Sequence, residues 1–116
     1  MKLVRIYTRD DNESHLDIMD QSDLDYVERD GTRTAVQAAT GVQFAMRKEG
    51  AFTDFHNAPR RQYVLYLTAS VEIGLGDGSK HVMEPGDILL AEDTLGRGHT
   101  SRVIKGGMST TVRLEP

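Results

Sequence analysis

The stretch RQYVLYLTASVEIGLGDGSKHVMEPGDILLA, residues 61–91, points to the fold because short apolar runs alternate with turn signals along it. Runs rich in β-branched and aromatic residues favour strands. Asp77-Gly78 favours a tight hairpin turn, since glycine tolerates the positive φ that such turns require. Pro85-Gly86 predicts a second turn, because proline fixes its own φ and glycine tolerates a positive φ. We therefore predict four strands here, at 61–68, 70–76, 80–84 and 87–91.

The same pattern extends to both sides of this stretch. Residues 2–8, KLVRIYT, alternate and predict a first strand. The length of 116 residues corresponds to one domain. Many short strands with regular turns, and no long amphipathic helix, predict an all-β jelly-roll barrel or sandwich. Further strands are expected at 34–39, 42–48, 51–56, 99–105 and 108–114.

Charge is unevenly spread along the chain. Residues 1–30 hold nine Asp or Glu against four Lys or Arg, whereas residues 31–116 hold nine against ten. We interpret residues 9–33 as a solvated acidic arm with one short helical turn around residues 16–19. The expected organisation is an N-terminal strand and acidic arm over 1–33, followed by a β-barrel domain over 34–116.

Composition excludes several classes of protein. No basic stripe is present that would follow a phosphate backbone, so nucleic acid is not an expected partner. No apolar run approaches the ~18 residues of a membrane span, and the charged N-terminus lacks the apolar region of a signal peptide. The absence of cysteine excludes disulfides, thiol catalysis and cysteine-bound zinc. We expect a cytoplasmic protein with no membrane partner.

A spaced pattern begins at Gly50 and carries a resemblance. Five residues separate Gly50 from His56, and Ala58, Gln62 and Ala69 follow at set intervals. This spacing resembles the first motif of the cupin superfamily, which runs from Gly through His-x-His and Glu to a final Gly. In this chain Ala58 replaces the second His, Gln62 replaces the Glu and Ala69 replaces the last Gly.

A second pattern resembles the second cupin motif. EPGDILLAEDTLGRGHTSRV contains the turn Pro85-Gly86-Asp87, a strand and then His99. The loop 92–98 is longer than usual, and Val103 stands where Asn is common. The chain thus looks like a small, single-domain bacterial cupin with an altered first motif, and the resemblance implies a cupin-like jelly-roll β-barrel or sandwich.

Strand alternation predicts which side chains share a face with His56. If His56 points inward, the even-numbered residues up to Tyr66 also do, provided that Pro59 introduces no bulge. His99 shares a face with Ser101 on the later strand. The resemblance implies that these two strands face each other across the barrel mouth. The side chains that would then converge as metal ligands are His56, Gln62 and His99.

Two alternatives for this cluster stay open. Imidazole nitrogen suits Zn, Mn, Fe or Ni, whereas a neutral amide oxygen is a weaker ligand than a carboxylate. Asp54, Glu92 or Asp93 would be a source of a further oxygen ligand. The alternative is a pocket that contains hydrogen-bonded histidines and no cofactor.

Without a metal, residues of the same pocket would act as an acid and a base. His56 suits a general acid or base near neutral pH, and Tyr66 or Tyr63 would be its partner acid. An inward Arg60 would bind a carboxylate or phosphate, with Ser101 as a second ligand-binding residue. The alternative for Arg60 is an exposed residue paired with Asp54 or Glu92.

The function we expect is that of an enzyme acting on a small anionic organic molecule, with or without a metal. The sequence does not choose between an isomerase, a lyase, a cyclase and an oxygenase. The alternative is a non-catalytic, metal-free module that binds a small ligand. The resemblance also implies a homodimer, to which residues 2–8 would contribute by adding to a neighbour's sheet.

Overall fold

The computed structural model describes residues 1–115, and these residues form an all-β structure, which confirms the predicted class. Within this range no α-helix occurs, and Gln21–Asp23 forms a single 3-10 turn. None of its residues lies in a helix long and apolar enough to cross a membrane. The strands are β1 (Lys2–Thr8), β2 (Ser14–Asp20), β3 (Tyr26–Glu28), β4 (Arg33–Thr34), β5 (Ala39–Arg47), β6 (Phe52–His56), β7 (Gln62–Tyr66), β8 (Ser70–Gly74), β9 (Lys80–Met83), β10 (Ile88–Glu92), β11 (His99–Lys105) and β12 (Gly107–Leu114).

Ten of these strands form two sheets that pack as a sandwich. The larger sheet has the strand order β2-β1-β10-β7-β12-β5, and the smaller has the order β6-β11-β8-β9. The β1–β10 pair is parallel, whereas the other pairs in the two sheets are antiparallel. β3 and β4 form a separate two-stranded ribbon.

The core lies between the two sheets and includes alternate residues of β1, β7, β8 and β10. From β1 it receives Val4 and Ile6, and from β8 it receives Val71 and Ile73. Burying an aliphatic side chain of this size stabilises a fold by about 1.5–3 kcal/mol. Arg5, between Val4 and Ile6 on β1, therefore points to the outer face of the larger sheet.

The turn predicted at 84–87 forms and fixes the start of the first strand. Gly86 has a φ of 92°, which favours glycine. The Asp87 carboxylate accepts hydrogen bonds from the backbone N–H groups of Lys2 and Glu84, each at 2.8 Å. Burial alone would raise the pKa of Asp87, but these bonds and the Lys2 ammonium group at 3.2 Å lower it below its ordinary value.

Residues 14–20 form a strand where the sequence predicted a solvated arm with a helical turn. A turn at Asn12, with a φ of 60°, folds the chain back so that β2 pairs with β1 along its whole length. Leu16 then packs against the core, whereas its neighbour Asp17 is exposed. The predicted helical turn around Leu16 is therefore wrong, because pairing with β1 satisfies the backbone here.

Residues 35–38 form a loop where the sequence predicted a strand at 34–39. This loop lies over the outer face of the larger sheet, and the Tyr63 hydroxyl donates to Gln37 Oε1 at 2.9 Å. The next strand, β5, begins early, at Ala39, because its pairing with β12 continues to Leu114.

Candidate functional site

The sandwich encloses a cavity of about 90 Å³ between its two sheets. Side chains from β5, β7 and β10 line it on one side, and side chains from β6, β8 and β11 line it on the other. Much of the lining is aliphatic. The polar side chains with the chemistry of interest are Arg47, His56, Gln62, Tyr66, His99 and Ser101.

Two histidines meet at this cavity. β6 ends at His56 and β11 begins at His99, and the two residues are partners in the antiparallel register. Their ring centroids lie 4.6 Å apart and their planes are inclined by 55°. His99 is 6% exposed and His56 is partly exposed. The structure thus brings together the two histidines that the sequence singled out, and Gln62 lines the same cavity. β6 and β11 are paired neighbours in one sheet, however, and do not face each other across the mouth as the resemblance implied.

A buried carboxylate holds the His99 ring. His99 Nδ1 lies 2.6 Å from Asp93 Oδ2, and the Ser14 hydroxyl donates to the same oxygen at 2.7 Å. Asp93 is 0% exposed, and its second oxygen, Oδ1, has no partner among residues 1–115. A carboxylate here keeps the proton of a neutral imidazole on Nδ1. The unprotonated nitrogen of His99 is therefore Nε2.

His56 is held in the same tautomer by a different partner. Its Nδ1 lies 2.8 Å from the backbone carbonyl oxygen of Asp54. A carbonyl oxygen only accepts, so Nδ1 must carry the proton and Nε2 of the neutral ring has a free lone pair. The two histidines therefore both offer Nε2 to a ligand, a proton or a metal.

Gly98 explains how the long loop before His99 reaches this position. Its φ is 80°, and a Cβ at this residue would collide with the carbonyl oxygen of His56. Only glycine lets the loop pass this close to the end of β6. The close approach places Asp93 and His99 next to His56.

Tyr66 and Ser101 also line the cavity. Burial strongly raises the pKa of the Tyr66 phenol, although the nearby Arg47 charge opposes this effect. Tyr66 therefore stays neutral and available as a hydrogen-bond donor. Tyr63, the alternative from sequence, points to the outer face, where it bonds Gln37.

Arg60 does not line the cavity, in contrast to the prediction from strand alternation. It lies in a groove outside the sandwich together with Arg5 and Arg61. Alternation fails here because residues 57–61 form an irregular link around Pro59, although Ala58 and Gln62 on either side do reach the cavity.

Glu92, one of the expected partners of Arg60, pairs with other arginines. Its two oxygens accept from Arg5 Nε and Arg61 Nε, each at 2.5 Å. Burial would raise the pKa of Glu92, but the two guanidinium groups lower it below the ordinary value. Arg60 itself forms no ion pair within residues 1–115.

Arg47 is a cavity residue to which sequence reasoning assigned no role. Its Nε donates to the hydroxyl of Ser109 at 2.9 Å, and Ser109 is 0% exposed. On β5 the apolar side chains Val42, Phe44 and Met46 are exposed, whereas Arg47 points inward. Because apolar side chains usually face the core, the sequence pattern would turn these apolar residues inward and Arg47 outward. The sequence therefore did not indicate that Arg47 lines the cavity.

The donor set fits a metal only in part. Ligating histidines in proteins commonly donate their second N–H to a carbonyl or carboxylate, as His56 and His99 do here. Gln62 would add an amide oxygen, which is a weak ligand. Within the described part of the chain, no group of three or more His, Cys, Asp or Glu side chains is arranged to hold a metal.

Comparison with protein-family models gives no match for this chain. Comparison with curated proteins gives none either. Function therefore has to be inferred from the chemistry of the cavity.

Proposed function

We propose that the protein is an enzyme that transforms a small anionic organic molecule in the cavity between its sheets. The observation that carries this proposal is the buried Asp93–His99 pair, which lies beside His56 on the same wall of the cavity. A carboxylate that orients an imidazole and stabilises its protonated form makes that imidazole an effective base. Such a pair at a cavity favours proton transfer over a purely structural role.

The residues present support abstraction of a proton from a carbon beside a carbonyl group. His99 Nε2 would take the proton while the electron pair moves onto the carbonyl oxygen. Tyr66, whose phenol stays neutral, would donate a hydrogen bond to that oxygen. A His56 that enters the step protonated on Nε2 would give that proton to a different carbon or face as the carbonyl re-forms, so the two rings would exchange their protonation states. This chemistry belongs to isomerases and to lyases.

A metal-dependent form is the second candidate, because both histidines offer Nε2 and both have a partner on Nδ1. His56 and His99, with Gln62, would hold Zn, Mn, Fe or Ni. Such an ion would supply Lewis acidity or oxygen activation. The remaining residues would still bind and orient the ligand.

We also propose that the chain is a cupin-like protein. The two motif-bearing strands, β6 and β11, are neighbours, and their histidines are paired. Two sheets of largely antiparallel strands enclose the cavity between them. The altered positions Ala58 and Gln62 both line that cavity, where the first-motif ligands of a cupin are expected.

Hydrogen–deuterium exchange into a small carbonyl compound tests the enzyme proposal. With pyruvate as the probe in D₂O, we expect the protein to accelerate exchange of the methyl protons, as followed by NMR. His99→Gln should reduce the acceleration by about a hundredfold or more. His81→Gln, on β9 outside the cavity, is the matched control and should leave it unchanged. Binding of pyruvate without exchange would favour the non-catalytic ligand-binding module instead.

A further inference from the structure

Arg47 brings a positive charge into a cavity that offers it no counter-charge. It lines the cavity together with His56 and His99, and no Asp or Glu side chain of residues 1–115 is part of that lining. Among residues 1–115, the one hydrogen bond of its side chain goes to the neutral Ser109 hydroxyl. None of the salt bridges within residues 1–115 involves Arg47. A cation that is partly removed from water without a partner is unfavourable until an anion binds.

Neighbouring side chains direct the guanidinium group toward the interior. Ser109 on β12 lies between Ala45 on β5 and Tyr66 on β7 in the sheet register. The hydrogen bond to Ser109 brings the Arg47 side chain across β12 toward Tyr66. The Arg47 charge lowers the pKa of the Tyr66 phenol, against the larger raising effect of burial. The Arg47 Nε atom is thereby occupied, and the terminal guanidinium nitrogens are left as donors. Tyr66 adds a neutral hydroxyl donor beside them.

We infer that Arg47 binds the carboxylate group of a short aliphatic carboxylate, which leaves the Tyr66 hydroxyl for the carbonyl oxygen, and that this is the ligand class of the cavity. The inference rests on the function proposed above for the choice of site. One guanidinium group matches the single charge of a carboxylate and its two oxygens. The aliphatic lining from Val64, Val71 and Ile73 suits a short hydrocarbon chain.

The size of the cavity limits the ligand. The volume of the cavity is about 90 Å³. A carboxylate with a few further non-hydrogen atoms fits this space, whereas a nucleotide does not. Because Arg47 and the two histidines line the same small cavity, a carboxylate on Arg47 presents its remaining atoms to the imidazoles.

Binding of propionate, measured by NMR titration, tests this inference. The expected result is that Arg47→Gln raises the propionate Kd at least about tenfold, as the loss of a charge-assisted hydrogen bond would. Arg102→Gln, at an exposed position on β11, is the matched control and should change the Kd less than twofold. Propionamide, which has the same shape without the charge, should bind at least as weakly as propionate binds to Arg47→Gln.

Two further measurements keep the test decisive. If Arg47→Gln unfolds, the Nε–H resonance of Arg47 in the unmodified protein should shift on addition of propionate. His56→Gln and His99→Gln should still bind propionate even where exchange into pyruvate is lost, which separates this inference from the proposed chemistry. No propionate binding by the unmodified protein, an equal loss in Arg60→Gln, or tighter binding of inorganic phosphate would overturn the inference.

Discussion

His99 and Asp93 form a buried pair in which the imidazole Nδ1 lies 2.6 Å from a carboxylate oxygen. Both residues are almost fully removed from solvent, and Ser14 completes the arrangement from a strand at the other end of the chain. The pair fixes the tautomer of His99 and leaves Nε2 of the neutral ring with a free lone pair.

Asp93→Asn tests the importance of this pair. An amide can offer its N–H₂ group to Nδ1, which would favour the other tautomer and place the proton on Nε2. We expect exchange into pyruvate to fall by about a hundredfold or more, and the ¹⁵N shifts of His99 to report the changed tautomer. Asp54→Asn is the control, since His56 bonds the backbone carbonyl of Asp54 and not its side chain. Unchanged exchange and unchanged ¹⁵N shifts in Asp93→Asn would argue against this role.

Gln62→Glu tests the metal-dependent candidate. A carboxylate is a stronger ligand than an amide for Zn, Mn, Fe or Ni, so the substitution should tighten metal binding by about tenfold or more. Gln43→Glu, on the exposed part of β5, is the control. Metal content should be measured by elemental analysis after purification without chelators. Metal that stays bound in the double variant His56→Ala/His99→Ala would exclude this site.

Asp87 should make stability depend on acid pH. Its pKa is lowered in the folded state, so its contribution is present above its unfolded-state pKa of about 4 and is lost as the pH falls through the lower folded-state value. Asp87→Asn should reduce the free energy of unfolding by about 1–3 kcal/mol at pH 7 and less at pH 3. Urea unfolding at both pH values measures this, with the exposed Asp25→Asn as the control. An equal loss at the two pH values would contradict the linkage.

Gly98→Ala tests the close approach of the loop to His56. The substitution adds both a positive-φ cost, about 1–2 kcal/mol, and a collision with the His56 carbonyl oxygen. Gly78→Ala has a similar φ of 87° but meets nothing within 4 Å, so it isolates the conformational cost. We expect Gly98→Ala to lower the thermal midpoint clearly more than Gly78→Ala. Equal losses would show that the collision is relieved without cost.

The exposed face of β5 offers a test of the predicted homodimer. β1 is paired on both sides within its own sheet, so the expectation that residues 2–8 add to a neighbour's sheet is wrong. The free edges of that sheet among the described residues are β2 and β5. β5 also exposes Val42, Phe44 and Met46, with Phe44 at 68%, and an apolar free edge favours pairing with a second copy. We expect a dimer by light scattering that Phe44→Asp dissociates and Leu95→Asp, on an exposed loop, does not. A dimer that survives Phe44→Asp would exclude this face.

Local signals in the sequence predicted much of the sandwich. The turns at Asp77-Gly78 and Pro85-Gly86 form where glycine and proline placed them, each with glycine at positive φ. The sequence did not predict β2, because solvent-facing acidic residues such as Asp17 are typical of a loop. The strand depends on its pairing with β1. Secondary structure was therefore predictable where the turn chemistry is local and not where a distant partner decides it.

The residues of the candidate site were likewise only partly predictable from the sequence. Alternation and motif spacing found His56, Gln62 and His99, which line one cavity. They did not predict that Arg47 lines the cavity, because its hydrogen-bond partner Ser109 lies 62 residues further along the chain. Arg60 was placed in the cavity because alternation was continued through the irregular link around Pro59.

The parallel pairing of β1 with β10 has a consequence for the order of folding. Leu3 lies opposite Ile88, so the first strand has no partner in the larger sheet on that side until most of the chain has been synthesised. Contacts this distant in sequence slow folding, because loop-closure entropy is lost before they form. We therefore expect the β1–β2 hairpin to gain its second neighbour in the sheet only after residues 88–92, which form β10, have been synthesised.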